Sequence, residues 1–246
     1  MSIRYTEEYI IKTARGEIEN FKNFYKSEIL NYKSKTKDTN VKIEEVIAKF
    51  LLDEGIESLF QKIENINREI SYASAKRDGT IPNNESNRHE ERYCIELFNL
   101  HKNKSADIKP FDHLGEIIDY QIPLKPSLNE EFVGVGKIDL ISKTDNNIWL
   151  LEVKTSKNKE TLLRCILEIS TYYQLLNKDK FLKDFNLSIL PIKKGILKQI
   201  ENENEKEEFV GVESGKLEYL KKIIKLLEIE IFFINNKQEI TQMVLE

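Results

Sequence analysis

Apolar residues recur along this chain first at helical spacing and then in shorter, strand-like runs. Ile18, Phe21, Tyr25, Ile29 and Tyr32 step along one helix face, and Val46, Phe50, Leu59, Ile63, Ile66 and Ile70 along a second, longer one. A polar loop, 33–40, separates them, and the breaker-rich stretch 78–84 reads as a linker. The pattern beyond it predicts a helix over 88–101, strands over 116–123, 132–142 and 148–155, a helix over 159–177, and a buried strand over 185–191 closed by Pro191. A further helix over 216–227 and an edge or return strand over 228–234 follow. The central order, α-β-β-β-α-β, predicts an α/β fold with a mixed sheet flanked by helices. It divides the chain into an N-terminal helical arm, 1–80, and a second domain, 81–246. The two arm helices need a partner for their apolar stripes: each other, the sheet domain, or a second subunit.

Charge interrupts this pattern most informatively at one point. The strand 148–155 is apolar until Glu152-Val153-Lys154, and side-chain alternation puts Glu152 and Lys154 on one face with Val153 on the other. Asp139 lies on the preceding strand, and 144–147 is a turn, so a hairpin sets Asp139 across from Glu152. Ionised groups gathered on an apolar sheet are costly to desolvate unless compensated. A hard divalent cation would compensate them, since carboxylate oxygens plus retained waters make up an ordinary Mg²⁺ shell. The neighbouring lysine could position or deprotonate water, or stabilise charge on phosphorus, which points to phosphodiester hydrolysis.

Asp139, followed thirteen residues on by Glu152-Val153-Lys154, resembles the signature of the PD-(D/E)xK nuclease superfamily. Gly136 ahead of the acid and Thr155-Ser156 after the lysine are similar to its RecB-like branch. The resemblance covers roughly half of the chain, residues 88 to 191, and implies a restriction-endonuclease-like core. It implies that Asp139, Glu152 and the Val153 carbonyl hold Mg²⁺, with Mn²⁺ able to substitute, and that Lys154 activates or positions water. A glutamate on the helix before the first strand, Glu90 or Glu91, would complete the shell. On the helix after the hairpin, Glu168-x-x-x-Tyr172 occupies the spacing at which the RecB-like branch carries Gln-x-x-x-Tyr, and Arg164, Glu168 and Tyr172 form one polar row. The glutamate is a departure from that branch.

The remaining composition narrows the partners. Forty per cent apolar residues, nine glycines and five prolines suit a folded domain. No apolar run is long enough for a bilayer, and the expectation is a soluble cytoplasmic protein. Cys94 and Cys165 stand apart and read as buried small hydrophobes, so no iron–sulfur cluster is expected. His89, His101 and His113 form no ligand pattern. Net charge is −4, all of it in the acidic run 201–208, which reads as a solvated loop. The chain therefore lacks the basic excess of a strong nucleic-acid binder. The expected activity is a metal-dependent nuclease, acting on DNA in preference to RNA, with a homodimer or partner protein contacted through the N-terminal helices. The alternative is a non-catalytic nucleic-acid-binding or interaction module on the same fold.

Overall fold

β3, Ile148–Lys154, is buried along its whole length and sets the frame for the rest. Trp149, Leu151 and Val153 point to one face, where they meet Cys94, Ile95, Leu97 and Phe98 of the helix α5, His89–Lys102. Ile148 and Leu150 point to the other, into a second cluster with Leu163, Ile166 and Ile169 of α6, Leu162–Leu175. The structure, a computed structural model, describes residues 5–82, 88–102, 110–127, 134–187 and 189–245. Six strands lie in sequence order in one mixed sheet: β1, Glu116–Pro123; β2, Lys137–Lys143; β3; β4, Ile192–Gln199; β5, Ile229–Ile234; and β6, Ile240–Gln242. β1–β2, β2–β3 and β5–β6 pair antiparallel, whereas β3–β4 and β4–β5 pair parallel. The fold is α/β, with an open six-stranded sheet flanked by helices.

Several elements differ from the sequence pattern. Among the described residues of 185–191 none belongs to a strand. Asn177 caps a short helix, α7, Lys178–Asp184, a left-handed Asn186 turns the chain, and Ile189 is 96 % exposed. Ser188 lies outside the described residues. The strand begins after Pro191 instead and runs through Lys193, Lys194 and Lys198, which disguised it as a basic surface. Two of the ammonium groups lie over aromatic rings, Lys193 over Trp149 while pairing with Glu230 at 3.1 Å and Lys194 over Tyr173, and Lys198 is buried. β2 starts at Lys137 because Gly134 and Gly136 take positive φ, and Phe132 and Val133 lie outside the described residues. β5 is an interior strand, since β6 covers its edge.

The arm is shorter-stepped than its apolar periodicity. α1, Glu7–Glu17, is capped by Thr6 and gives way to 3₁₀ turns around the brief α2, Phe21–Phe24. The long second helix is two: α3, Ile43–Asp53, and α4, Ile56–Gln61, parted by left-handed Gly55. Ile66 and Ile70 follow in irregular chain. These helices share one buried cluster with α6 and with α9, Glu218–Leu226. Part of the 78–84 stretch is docked: Gly79 donates to the Tyr120 hydroxyl, and the neighbouring Arg77 pairs with Asp119 through two nitrogens. The rest of it, from Asn83, lies outside the described residues. The acidic run is not simply solvated loop. Its end opens α8, Glu207–Glu213, where acids suit the first turn, and Glu208 accepts the Leu162 amide at the start of α6. Among the described residues no helix is long and apolar enough to cross a membrane.

Candidate functional site

The β2–β3 ladder ends at Leu140↔Leu151, one step before the two acids. Beyond that point the Asp139 side chain replaces the backbone partner: its Oδ2 accepts the Val153 amide at 2.9 Å. A strand residue presents its N–H and C=O to the same neighbour, so the Val153 carbonyl also faces the Asp139 side. Asp139 Oδ1 accepts from Gln121 Nε2 at 2.7 Å. Gln121, on β1, has φ +49°, a left-handed conformation that a non-glycine residue rarely adopts in a strand.

Glu152 and Lys154 leave β3 on the same face, 2.8 Å apart at Oε1 and Nζ, and both are buried. Glu160 Oε2 lies closer still to Lys154, at 2.6 Å, with Glu90 at 3.8 Å and Glu168 at 4.0 Å. Asn158 Nδ2 ties Glu90 at 2.7 Å to Glu160 at 3.2 Å. Glu168 accepts the Tyr172 hydroxyl at 2.7 Å. Arg164 shares a helix face with Glu168 and Tyr172 but pairs with Glu160, from the loop before the helix, at 2.8 Å. Glu91 lies apart from this cluster, paired with exposed Arg88 at 3.3 Å. The helix period leaves Glu90 and Glu91 equivalent in sequence; the site's edge, at Asn158 and Lys154, separates them.

Glycine is required at position 136 on two grounds. Its φ is +102°, and a Cβ there would sit 2.6 Å from the Tyr172 ring. Close approach of the backbone to that ring therefore sets the entry of β2 against α6.

Five carboxylates, Asp139, Glu152, Glu160, Glu168 and Glu90, thus surround two cations, Lys154 and Arg164. The electrostatics follow from that imbalance. Burial pushes the Asp139 carboxyl up to about 7, although Lys154 and the Val153 amide pull the other way. Burial, with Asp139 and Glu168 adding like charge, drives Glu152 well above the carboxylate range. Lys154 is also buried, which opposes its charge, but Glu152, Glu168 and Glu90 outweigh this and raise its pKa. Glu160, partly buried, is nonetheless held low by Lys154. Glu152 Oε2 has no hydrogen-bond partner among the described residues.

A scan against protein-family models finds no match to this chain, and a search of curated proteins finds none either. The site therefore stands on its own geometry.

Sequence reasoning missed Glu160, Asn158 and Gln121. The first two sit on the loop 155–161, where no periodicity marks them. Gln121 was findable from register, since the β1–β2 pairing sets it opposite Asp139. Among the described residues no three acidic, histidine or cysteine side chains form a ready ligand set as they stand. The donor chemistry nonetheless suits a hard cation: surplus carboxylates, two of them with raised proton affinity, and an orphan oxygen on Glu152.

Proposed function

We propose that this chain is a divalent-metal-dependent nuclease on a restriction-endonuclease-like fold, hydrolysing phosphodiester bonds, in DNA by preference. The observation that carries the reading is a buried lysine on the same strand face as a buried glutamate, with an aspartate at the forked end of the paired strand. Asp139, Glu152, Glu90 and the Val153 carbonyl are the residues that would hold Mg²⁺. When bound, such a cation supplies Lewis-acid stabilisation of a phosphoryl oxygen and lowers the pKa of water.

The protein's own groups have separable tasks. Lys154, kept protonated by its carboxylate neighbours, places an ammonium where charge grows on the scissile phosphate. Glu160 and Glu152 fix the ammonium from two sides, so its position is preset before substrate arrives. Gln121 and the Val153 amide hold both Asp139 oxygens in one orientation. Tyr172 holds Glu168 behind the lysine.

The test is cleavage of circular and linear DNA, single- and double-stranded, with Mg²⁺, Mn²⁺ or EDTA, for wild type, Lys154→Ala and Asp139→Asn. Metal-dependent cutting that disappears in both variants supports the reading, and nicked circles identify endonucleolytic attack. Equal cutting by all three proteins, or none by the wild type on DNA or RNA, overturns it.

A further inference from the structure

A cavity of about 400 Å³ opens beside Lys154 and Ser156, and Asp139 is not part of its lining. The catalytic reading uses only its Lys154, Asn158 and Glu160 edge. Lys198 reaches into it from β4, where it is the in-register neighbour of Lys154 on β3. Adjacent in-register residues project to the same face, so the two ammonium-bearing side chains leave the sheet side by side.

Lys198 is 9 % exposed, and among the described residues its Nζ makes one hydrogen bond, to the Thr155 carbonyl at 2.8 Å. Among the described residues it forms no ion pair. That separates it from Lys154, which is ringed by carboxylates. A buried ammonium with no counter-ion is costly unless an anion compensates it in some state of the molecule. Burial accordingly weakens its hold on its proton.

Five glutamates also line the cavity, and four of them have partners of their own. Glu160 pairs with Lys154 and Arg164, and Glu44 accepts the Leu163 amide. Glu205 accepts from the Glu201 amide and Asn202, and Glu208 from the Leu162 amide. Glu207 adds a further acid. Lys33 and Lys42 belong to the same lining, contributed by the arm. Beside these acids the cavity holds one sequestered ammonium, Lys198, that forms no ion pair among the described residues, and the two arm lysines.

We propose that Lys198, with Lys33 and Lys42, forms a phosphate subsite that holds a phosphate group of the substrate next to the one at Lys154. Its place on a nucleic-acid strand rests on the nuclease reading; the phosphate contact does not. Phosphate oxygens would supply the missing counter-charge and accept the free donors of the ammonium.

The test is binding in EDTA, so that cleavage plays no part. A short single-stranded DNA is titrated by fluorescence anisotropy, with and without a 5′-phosphate, across a range of salt. Inorganic phosphate is tested by thermal shift against chloride at equal ionic strength. The variants are Lys198→Met, Lys198→Arg and Lys12→Met, the last an exposed α1 lysine outside the cavity that controls for bulk charge. Lys198→Met is expected to weaken strand binding about tenfold and to flatten the log–log salt dependence by about 0.7, one single-strand phosphate contact. Lys198→Arg retains most of the affinity, and Lys12→Met leaves the slope unchanged. Inorganic phosphate raises the melting temperature of the wild type and not of Lys198→Met. Tighter binding of the 5′-phosphorylated strand assigns the subsite to a terminal phosphate, and equal binding to an internal one; both uphold it. A salt slope unchanged in Lys198→Met, with a lowered melting temperature, would make Lys198 a structural residue and overturn the proposal. Cleavage separates the two readings. A Lys198-dependent phosphate effect without cleavage removes the nuclease and keeps the subsite, and normal cleavage with an unchanged slope does the reverse.

Discussion

Glu90 Oε2 on α5 stands 3.8 Å from Lys154 Nζ on β3, while the adjacent Glu91 points to Arg88 at the surface. Glu90→Gln should therefore lower kcat/KM by about 10- to 100-fold, the usual cost of losing a group that orients or ligates at a metal site. Glu91→Gln should stay within about twofold, because an exposed ion pair contributes little. Steady-state cleavage by the two variants, with melting curves as a folding control, checks this. Equal losses would place Glu91 in the site as well.

Asp139 gives the protein a specific pH dependence. Its folded pKa is about 7, above the ordinary aspartate value of 3.8, chiefly through burial. Between those values the folded state binds more protons than the unfolded one, so stability falls as pH rises from about 4 to about 7 and levels off above. The slope from this group is at most about 1.4 kcal/mol per pH unit, reduced by screening through its open edge to solvent. Asp139→Asn should flatten the slope. Mg²⁺, which competes with the proton, should stabilise wild type more at pH 8 than at pH 5. Urea unfolding across that range checks both; parallel curves for wild type and Asp139→Asn would refute the assignment.

Gly136→Ala should destabilise by about 1–3 kcal/mol, combining a positive-φ cost with a clash against Tyr172. The clash belongs to the Tyr172 ring, so Gly136→Ala in a Tyr172→Leu background should cost less than in wild type. A double-mutant cycle by chemical denaturation measures that coupling. Additive costs would mean that the backbone conformation alone demands glycine.

Gln121 donates to Asp139 Oδ1 at 2.7 Å, so its effect on cleavage is expected to pass through that carboxylate. Gln121→Leu should lower activity by roughly 10- to 100-fold through loss of carboxylate orientation. Its signature is weaker apparent Mg²⁺ affinity, partly overcome at high Mg²⁺, and Gln121→Glu should be worse because it sets like charges together. Gln121→Gly, which relieves the left-handed backbone but loses the amide, should be more stable than Gln121→Leu. An unchanged Mg²⁺ dependence in Gln121→Leu would remove the positioning role.

What the sequence revealed and what it hid divide along physical lines. β1 and the end of β3 were legible because alternation and a sharp apolar-to-charged change mark them, and turn length gave the hairpin register that ends at Leu140↔Leu151, one step short of the two acids. Local pattern failed where tertiary context decides. The lysines of β4 look like surface until the ammonium groups of Lys193 and Lys194 are seen over Trp149 and Tyr173, and apolar 185–191 outscored them although Ile189 ends in solvent. Gly55 parts α3 from α4 without interrupting the apolar stripe. Of the site, residues on strands and helices could be placed by period, whereas Glu160 and Asn158 depend on a loop conformation that carries no period.

The two adjacent acids at the start of α3 bear on how this molecule assembles. Glu44 accepts the Leu163 amide at the head of α6, and Glu45 accepts the Tyr219 and Leu220 amides at the head of α9. Glu208, from beyond β4, meets Glu44 at the same helix end. The helix that carries Glu168 and Tyr172 is thus anchored by chain segments far before and far after it. Such separation means slow closure of long loops during folding. The cluster around Lys154 thus depends on segments far apart in sequence, and a chain with only its hairpin formed would hold Asp139 and Glu152 without the helix that brings Glu168.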